Sequence, residues 1–119
     1  MSRLYQDHQH KIILAETPQK IQDAQEALDF AFSLAIEYDT NDIVVSKEAF
    51  SEAFFDLRSK LAGEILQKFV QYQIRLAIVG DFSQYQSNAL KDFIYECNQG
   101  SHFFFVGTEE KGIARLKNQ

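Results

Sequence analysis

The stretch IRLAIVGDFSQY, residues 74–85, sets an acid and a hydroxyl just past an apolar run broken only by Arg75. Read as a strand, Leu76–Val79 delivers Asp81 to a carboxyl end, where open α/β sheets bind ligands. Ends of two other apolar runs add Ser46-Lys47 and Gly107-Thr108. A ligand-binding set of Ser46, Lys47, Gly80, Asp81, Ser83 and Thr108 would then lie above one edge of a sheet. The competing reading is a turn, in which Gly80 permits a tight bend and Asp81 accepts backbone hydrogen bonds. No G-x-x-x-x-G-K-[ST] or G-x-G-x-x-G occurs, so neither phosphate loop is available. A receiver-type phospho-acceptor needs an acidic pair after the first strand, and only Glu16 stands there. The turn reading is the stronger.

Other chemistry-bearing residues are few. Cys97, the single cysteine, falls at helical spacing with Leu90, Phe93 and Ile94. That places it on a core face, where apolar surroundings disfavour a thiolate. His8 and His10 form His-x-His and would share one side of a strand, but they sit in a polar turn without a third ligand nearby. No catalytic residue, metal site or cofactor is assigned. Glu48, Glu52, Asp56, Arg58, Lys60 and Glu64 make a run of mixed charge around EAFSEAFFD. Aromatics beside arginine are common interface anchors, which makes Phe54, Phe55, Arg58 and Ser59 a candidate interaction surface. Phe50, Phe54 and Phe55 cannot all face outward on a stable monomer, so some of them pack inward.

The elements that must position these residues follow from periodicity. Arg3–Gln6 and Lys11–Glu16 read as two short strands about the polar turn DHQH. A helix starts at Thr17-Pro18 or, preferably, at Asp23, which opens a capping box with Glu26. Its apolar face is Ala24, Leu28, Ala31, Ala35 and Tyr38, and its second half is apolar over a wide arc, which implies deep packing or a partner. Ile43–Val45 is a strand. A long amphipathic helix runs from Asp56 to about Tyr72 on Leu57, Leu61, Ile65, Phe69 and Tyr72. Ser87 caps the next helix, and Gly100 suits a left-handed end to it. His102–Val106 is the last strand, with Phe104 opposite in face to Phe103 and Phe105. Thr108 opens a final short helix.

Composition bounds the partners. The chain has 119 residues, 45% hydrophobic, with eleven Phe, one Pro and five Gly, enough for one core without staples. Its net charge is −5, which repels phosphate backbones and excludes nucleic acid as a partner. The polar start MSRLYQDHQH is neither a signal peptide nor a myristoylation site, and no apolar run reaches the roughly 20 residues of a membrane span. The expectation is a soluble, reduced, cytoplasmic domain with no membrane association.

The stretch DLRSKLAGEILQKFVQYQIRLAIVGDFSQYQSNALKDFIYECNQG resembles a bacterial family catalogued as domain of unknown function 4180. The resemblance runs over nearly the whole chain and is densest at residues 54–100. A typical member reads Ser in place of Cys97, which argues against thiol chemistry across the family. The element order is similar to the STAS domain, the fold of anti-sigma-factor antagonists and sulfate-transporter tails. In antagonist STAS domains a Ser opening the helix after the middle strand is phosphorylated, usually in an Asp-Ser-Ser-Gly context. Ser59 holds a comparable place, but in Asp56-Leu57-Arg58-Ser59-Lys60, with the loop lengthened by EAFSEAFF.

The expected architecture is a single α/β domain over residues 1–119. Its sheet is mixed and mostly parallel, of about five strands with about four helices, STAS-like. A flavodoxin-like three-layer sandwich is the alternative. The expected function is a non-enzymatic regulatory or interaction domain that binds a protein partner or itself. The alternative is a small-molecule-binding domain or minor enzyme with its site at the strand ends.

Overall fold

A computed structural model describes all residues except Met1 and Pro18. Five strands form one sheet in the order β1-β2-β3-β4-β5: Arg3–Gln6, Lys11–Leu14, Asp42–Ser46, Arg75–Val79 and Phe103–Val106. The opening hairpin is antiparallel, and β2 through β5 are parallel. Helices α1 (Ala24–Tyr38), α2 (Leu61–Gln71) and α3 (Asn88–Gln99) cross between parallel neighbours, and α4 (Glu109–Lys117) follows β5. The α/β class, the five-stranded mixed sheet and the four helices are as the sequence implied. The flavodoxin-like alternative is not met. Strand order runs one way without reversing, so right-handed crossovers stack α1, α2 and α3 on the same face. No topological switch point forms.

The period of two along the strands splits the core into two layers. Ile13, Ile43, Val45, Leu76, Ile78, Phe103 and Phe105 face the three helices. Ile12, Leu14, Val44, Ala77 and Phe104 face the other way, toward Leu116 of α4. Although β5 is an edge strand, helices cover it on both sides, and all three of its Phe residues are buried.

Helix ends carry most of the local corrections. Asp23 caps α1, its carboxylate accepting from the Glu26 amide at 2.8 Å, so the second of the two candidate starts is used. The other, at Pro18, lies outside the described residues. The buried stripe of α1 is Ala27, Leu28, Ala31 and Leu34, rotated from the expected one. The helix expected from Asp56 is broken. Lys47–Ala49, Glu52–Phe55 and Leu57–Ser59 are three short 3-10 turns, and Lys60 takes φ 66 before α2 begins. The Phe-rich segment needs this irregular path. A continuous helix would set Phe50 and Phe54 on one face and turn Phe55 about 100° away from Phe54, whereas the turns send all three inward. No described glycine has positive φ, and Gly100 ends α3 at φ −93 rather than left-handed. Asp39, Lys60 and Gln73 take the left-handed positions instead.

Candidate functional site

Two regions that were separate in the sequence meet at the carboxyl ends of β3 and β4. The 3-10 segment after β3 packs on the loop after β4 through rings. Phe55 stacks on Tyr85 at 5.1 Å between centroids, and Phe55 and Phe82 lie 6.2 Å apart. Beneath them Phe54 stacks on Phe50 at 4.3 Å. Phe54 is 0% exposed and Phe55 6%, so the interaction surface expected there loses Phe54 outright and keeps Phe55 only as a wall. Arg58 remains outside. Its side chain is 91% exposed and forks onto Asp56, with Nε to Oδ1 at 3.0 Å and Nη2 to Oδ2 at 3.1 Å. This pair holds the Asp56 carboxyl below its ordinary range and raises the guanidinium.

The polar residues at the strand ends are engaged locally. Ser46 accepts from the Glu48 amide at 3.1 Å, and Thr108 caps α4 by accepting from Lys111 N at 3.1 Å. Asp81 Oδ1 accepts from the Ser83 hydroxyl at 2.6 Å and the Ser83 amide at 2.9 Å. These bonds hold the Asp81 carboxyl below its ordinary range, with Lys47 adding a smaller charge effect. Gly-Asp-Phe-Ser is therefore a turn built by its own side chains. Gly80 has a different reason from the one expected. A Cβ there would sit 2.7 Å from Lys47 Cδ, so glycine lets the lysine stem lie across the backbone. Lys47 then reaches the Asp81 carbonyl at 3.4 Å and lies 5.1 Å from the Tyr85 ring centre. Ser59 Oγ donates to the Ala53 carbonyl at 2.5 Å and accepts from Leu61 N at 3.2 Å, tying the last 3-10 turn to α2.

Between these elements lies an open hollow of about 730 Å³. Phe55, Leu57, Tyr85, Ala53 and Ala89 give it an apolar lining, with Arg58 and Asp56 at its wall. Sequence reasoning left Tyr85 inside an anonymous loop. The signal was there in Phe82 and Tyr85, two aromatics in a polar turn with nothing to bury them but each other's neighbours. The Tyr85 hydroxyl is buried without a hydrogen-bond partner.

A second hollow, of about 770 Å³, opens at the opposite, amino ends of the parallel strands. Its built feature is an ion pair missed in the sequence. Arg75 Nε and Nη2 donate to the two carboxylate oxygens of Asp42 at 2.8 and 2.7 Å. The two residues are register partners on adjacent strands, and among the described residues Asp42 is the buried charged side chain. An arginine interrupting an apolar run was the available clue. Because each partner satisfies the other, the pair secures the sheet's lower edge. His102 lines this hollow, while His10 turns its Nδ1 to Asp7 at 3.3 Å. No group of three or more His, Cys, Asp or Glu able to hold a metal occurs among the described residues. Cys97 lies buried, and burial pushes its thiol up to about 11. No described helix is long and apolar enough to cross a membrane.

Neither the curated proteins nor the solved structures contain a match to this chain. A family model does match, over residues 6–116, which takes in the whole sheet from β2 onward and every helix but its last residue. The chain belongs to the family described as Domain of unknown function (DUF4180).

Proposed function

We propose that this domain is a non-enzymatic regulatory module that binds a protein partner at the hollow beside Arg58. One observation carries the reading: a guanidinium 91% exposed and held by Asp56 stands beside a concave apolar surface of Phe55, Leu57 and Tyr85, while the hydroxyls of Ser59 and Ser83 are spent on local hydrogen bonds. An arginine at the rim of an aromatic-walled pocket is the arrangement that anchors protein interfaces. A lone buried thiol suits the reducing cytoplasm, where the reading places the domain.

A single observation favours a second reading. The hollow, about 730 Å³ with apolar walls of Phe55, Leu57 and Tyr85, falls in the size range of small-molecule sites. Of the strand-end residues, Lys47 lies over the Tyr85 ring that walls the hollow, Asp81 and Ser83 stand outside its lining, and Thr108 caps the helix on the other face of the sheet.

Native and denatured masses of the purified protein separate the two. A small non-covalent mass lost on denaturation moves the second reading ahead. With no such mass, cross-linking in cells should trap a protein that Arg58→Glu and Ala89→Arg both release, with melting temperatures unchanged. Capture that is indifferent to both variants overturns the interaction reading. A phosphate retained on Ser59 after denaturation would add a covalent switch to it.

A further inference from the structure

The wide apolar arc of α1 is not all buried. Phe32 and Ile36 stand one turn apart on its outer surface, and Ile36 is 86% exposed. Phe32 meets Tyr72, at the end of α2, edge to face at 5.2 Å. The three side chains make an apolar ridge across two neighbouring helices, near their carboxyl-terminal ends. A β-strand-rich core cannot explain it, because none of the three is buried. Ile36 in particular touches solvent almost as an unfolded residue does, which is costly to solubility and without benefit to the monomer.

Charge around the ridge is one-sided. From Ala24 to Tyr38 the helix carries Glu26, Asp29 and Glu37 and no Lys or Arg. On the helical projection Asp29 falls in line with Phe32 and Ile36, and Glu26 and Glu37 flank them on the side away from α2. Among the described residues the Asp29 carboxylate accepts from the Gln25 amide at 2.9 Å and forms no ion pair. On α2, Lys68 is balanced by Glu64 one turn earlier, so that helix adds no net positive charge. A second copy of the chain docked about a two-fold axis would set one acidic α1 against another, on molecules each carrying −5. Anionic lipid and nucleic acid are repelled in the same way.

We infer that the α1–α2 face docks a cationic amphipathic helix of another protein, whose apolar side chains cover Phe32, Ile36 and Tyr72 and whose lysines or arginines meet Asp29 and Glu37. Two neighbouring helices that share an apolar ridge beside acidic side chains offer a face on which a partner helix can pack by its own apolar stripe. This surface lies at the other end of the helices from the hollow beside Arg58, and either can fail without the other.

The probe is a fluorescein-labelled 14-residue amphipathic peptide of Leu and Lys, titrated with the full chain and read by anisotropy at 50 and 300 mM salt. The expected result is saturable binding that weakens several-fold at the higher salt. Ile36→Gln should weaken it about tenfold, since that change costs roughly 1.4 kcal/mol of binding. Asp29→Lys with Glu37→Lys should abolish it, and Arg58→Glu should leave it unchanged. The same peptide with Glu in place of Lys should not bind. Circular dichroism and melting should be unaltered in Ile36→Gln, whose side chain supports nothing in the monomer. Equal binding by wild type and both α1 variants overturns the inference. So does a dimer in sedimentation that Ile36→Gln dissociates, because the ridge would then be covered by a second copy.

Discussion

The two faces of the sheet are held by different physics. On one face three helices press apolar stripes onto the strands, and the layer between them is filled by Phe50, Phe54, Phe103 and Phe105 with Ile and Leu residues. On the other face a single nine-residue helix covers the sheet. Its apolar contribution is small, Leu116 buried and Ile113 partly so, and polar contacts tie it at both ends. Arg3 on β1 forks onto Glu109 at 2.9 and 2.7 Å. Lys117 reaches the Tyr5 hydroxyl at 2.8 Å and Asp7 at 2.9 Å. In between, the Arg115 guanidinium lies 4.5 Å from the centre of the Phe104 ring and donates to the Asn98 carbonyl. The first face draws its stability from apolar area removed from water, and among the described residues its buried core holds no ion pair whose charge pH or screening would change. The second responds to both, since exposed ion pairs are weak and screened. The lesson is that α4 is a strap, held in place by its ends and by one close approach to the sheet.

The comparison is broken most severely from the three-helix side. Phe54→Ala empties the centre of the aromatic cluster and is expected to cost about 3–5 kcal/mol. Urea denaturation would read it as a lower midpoint for the whole domain, and a loss under 1 kcal/mol would mean that the cluster is not the main support. Next comes the close approach of α4. A Cβ on Gly112 would lie 3.1 Å from Ala77 Cβ and 3.5 Å from side-chain carbons of Val44 and Val106. Gly112→Leu must therefore push the helix off the sheet, at about 1–3 kcal/mol. Hydrogen exchange should show faster opening in α4 and β1 and little change in α1 or α2. Uniform acceleration across the chain would show that the two faces are one cooperative unit.

The smallest effect sharpens the contrast through pH. Hydrogen bonding from Lys117, then from the Gln9 amide, holds the Asp7 carboxyl far below its ordinary range, and the Lys117 ammonium is pushed up to about 12. A carboxylate depressed in the folded state adds stability above its unfolded pKa, near 4, and loses it as pH falls toward the folded value. Asp7→Asn should therefore lower the melting temperature by a few degrees at pH 7, and the gap to wild type should begin to narrow below about pH 4 and keep narrowing as the pH falls further. A gap independent of pH would assign the effect to the turn that Asp7 also holds, where its carboxylate accepts from the amides of Gln9 and His10.

Local patterns carried far in this chain. Short apolar runs at IILA and HFFFV, the capping box at Asp23 and the Ser87 cap mark strands and helix starts because each is decided within a few residues. Class, strand number and the turn at Asp81 were all legible on that scale. What those patterns could not decide was how distant segments share space. The helix expected from Asp56 reads as continuous because Leu57, Leu61 and Ile65 recur at helical spacing, yet its first turn is 3-10 and Lys60 at φ 66 separates it from α2. Gly80 reads as a turn glycine, yet it is needed where Lys47, 33 residues earlier in the chain, crosses it. Arg75 reads only as the interruption of an apolar run, and only parallel register sets it against Asp42 as a partly buried pair. The same holds for Ile36. Sequence determined that α1 is apolar over too wide an arc for one buried face. Tertiary structure alone decided which part of that arc stays in water, because a helix that crosses from β2 to β3 and packs beside α2 can turn only one stripe onto the sheet.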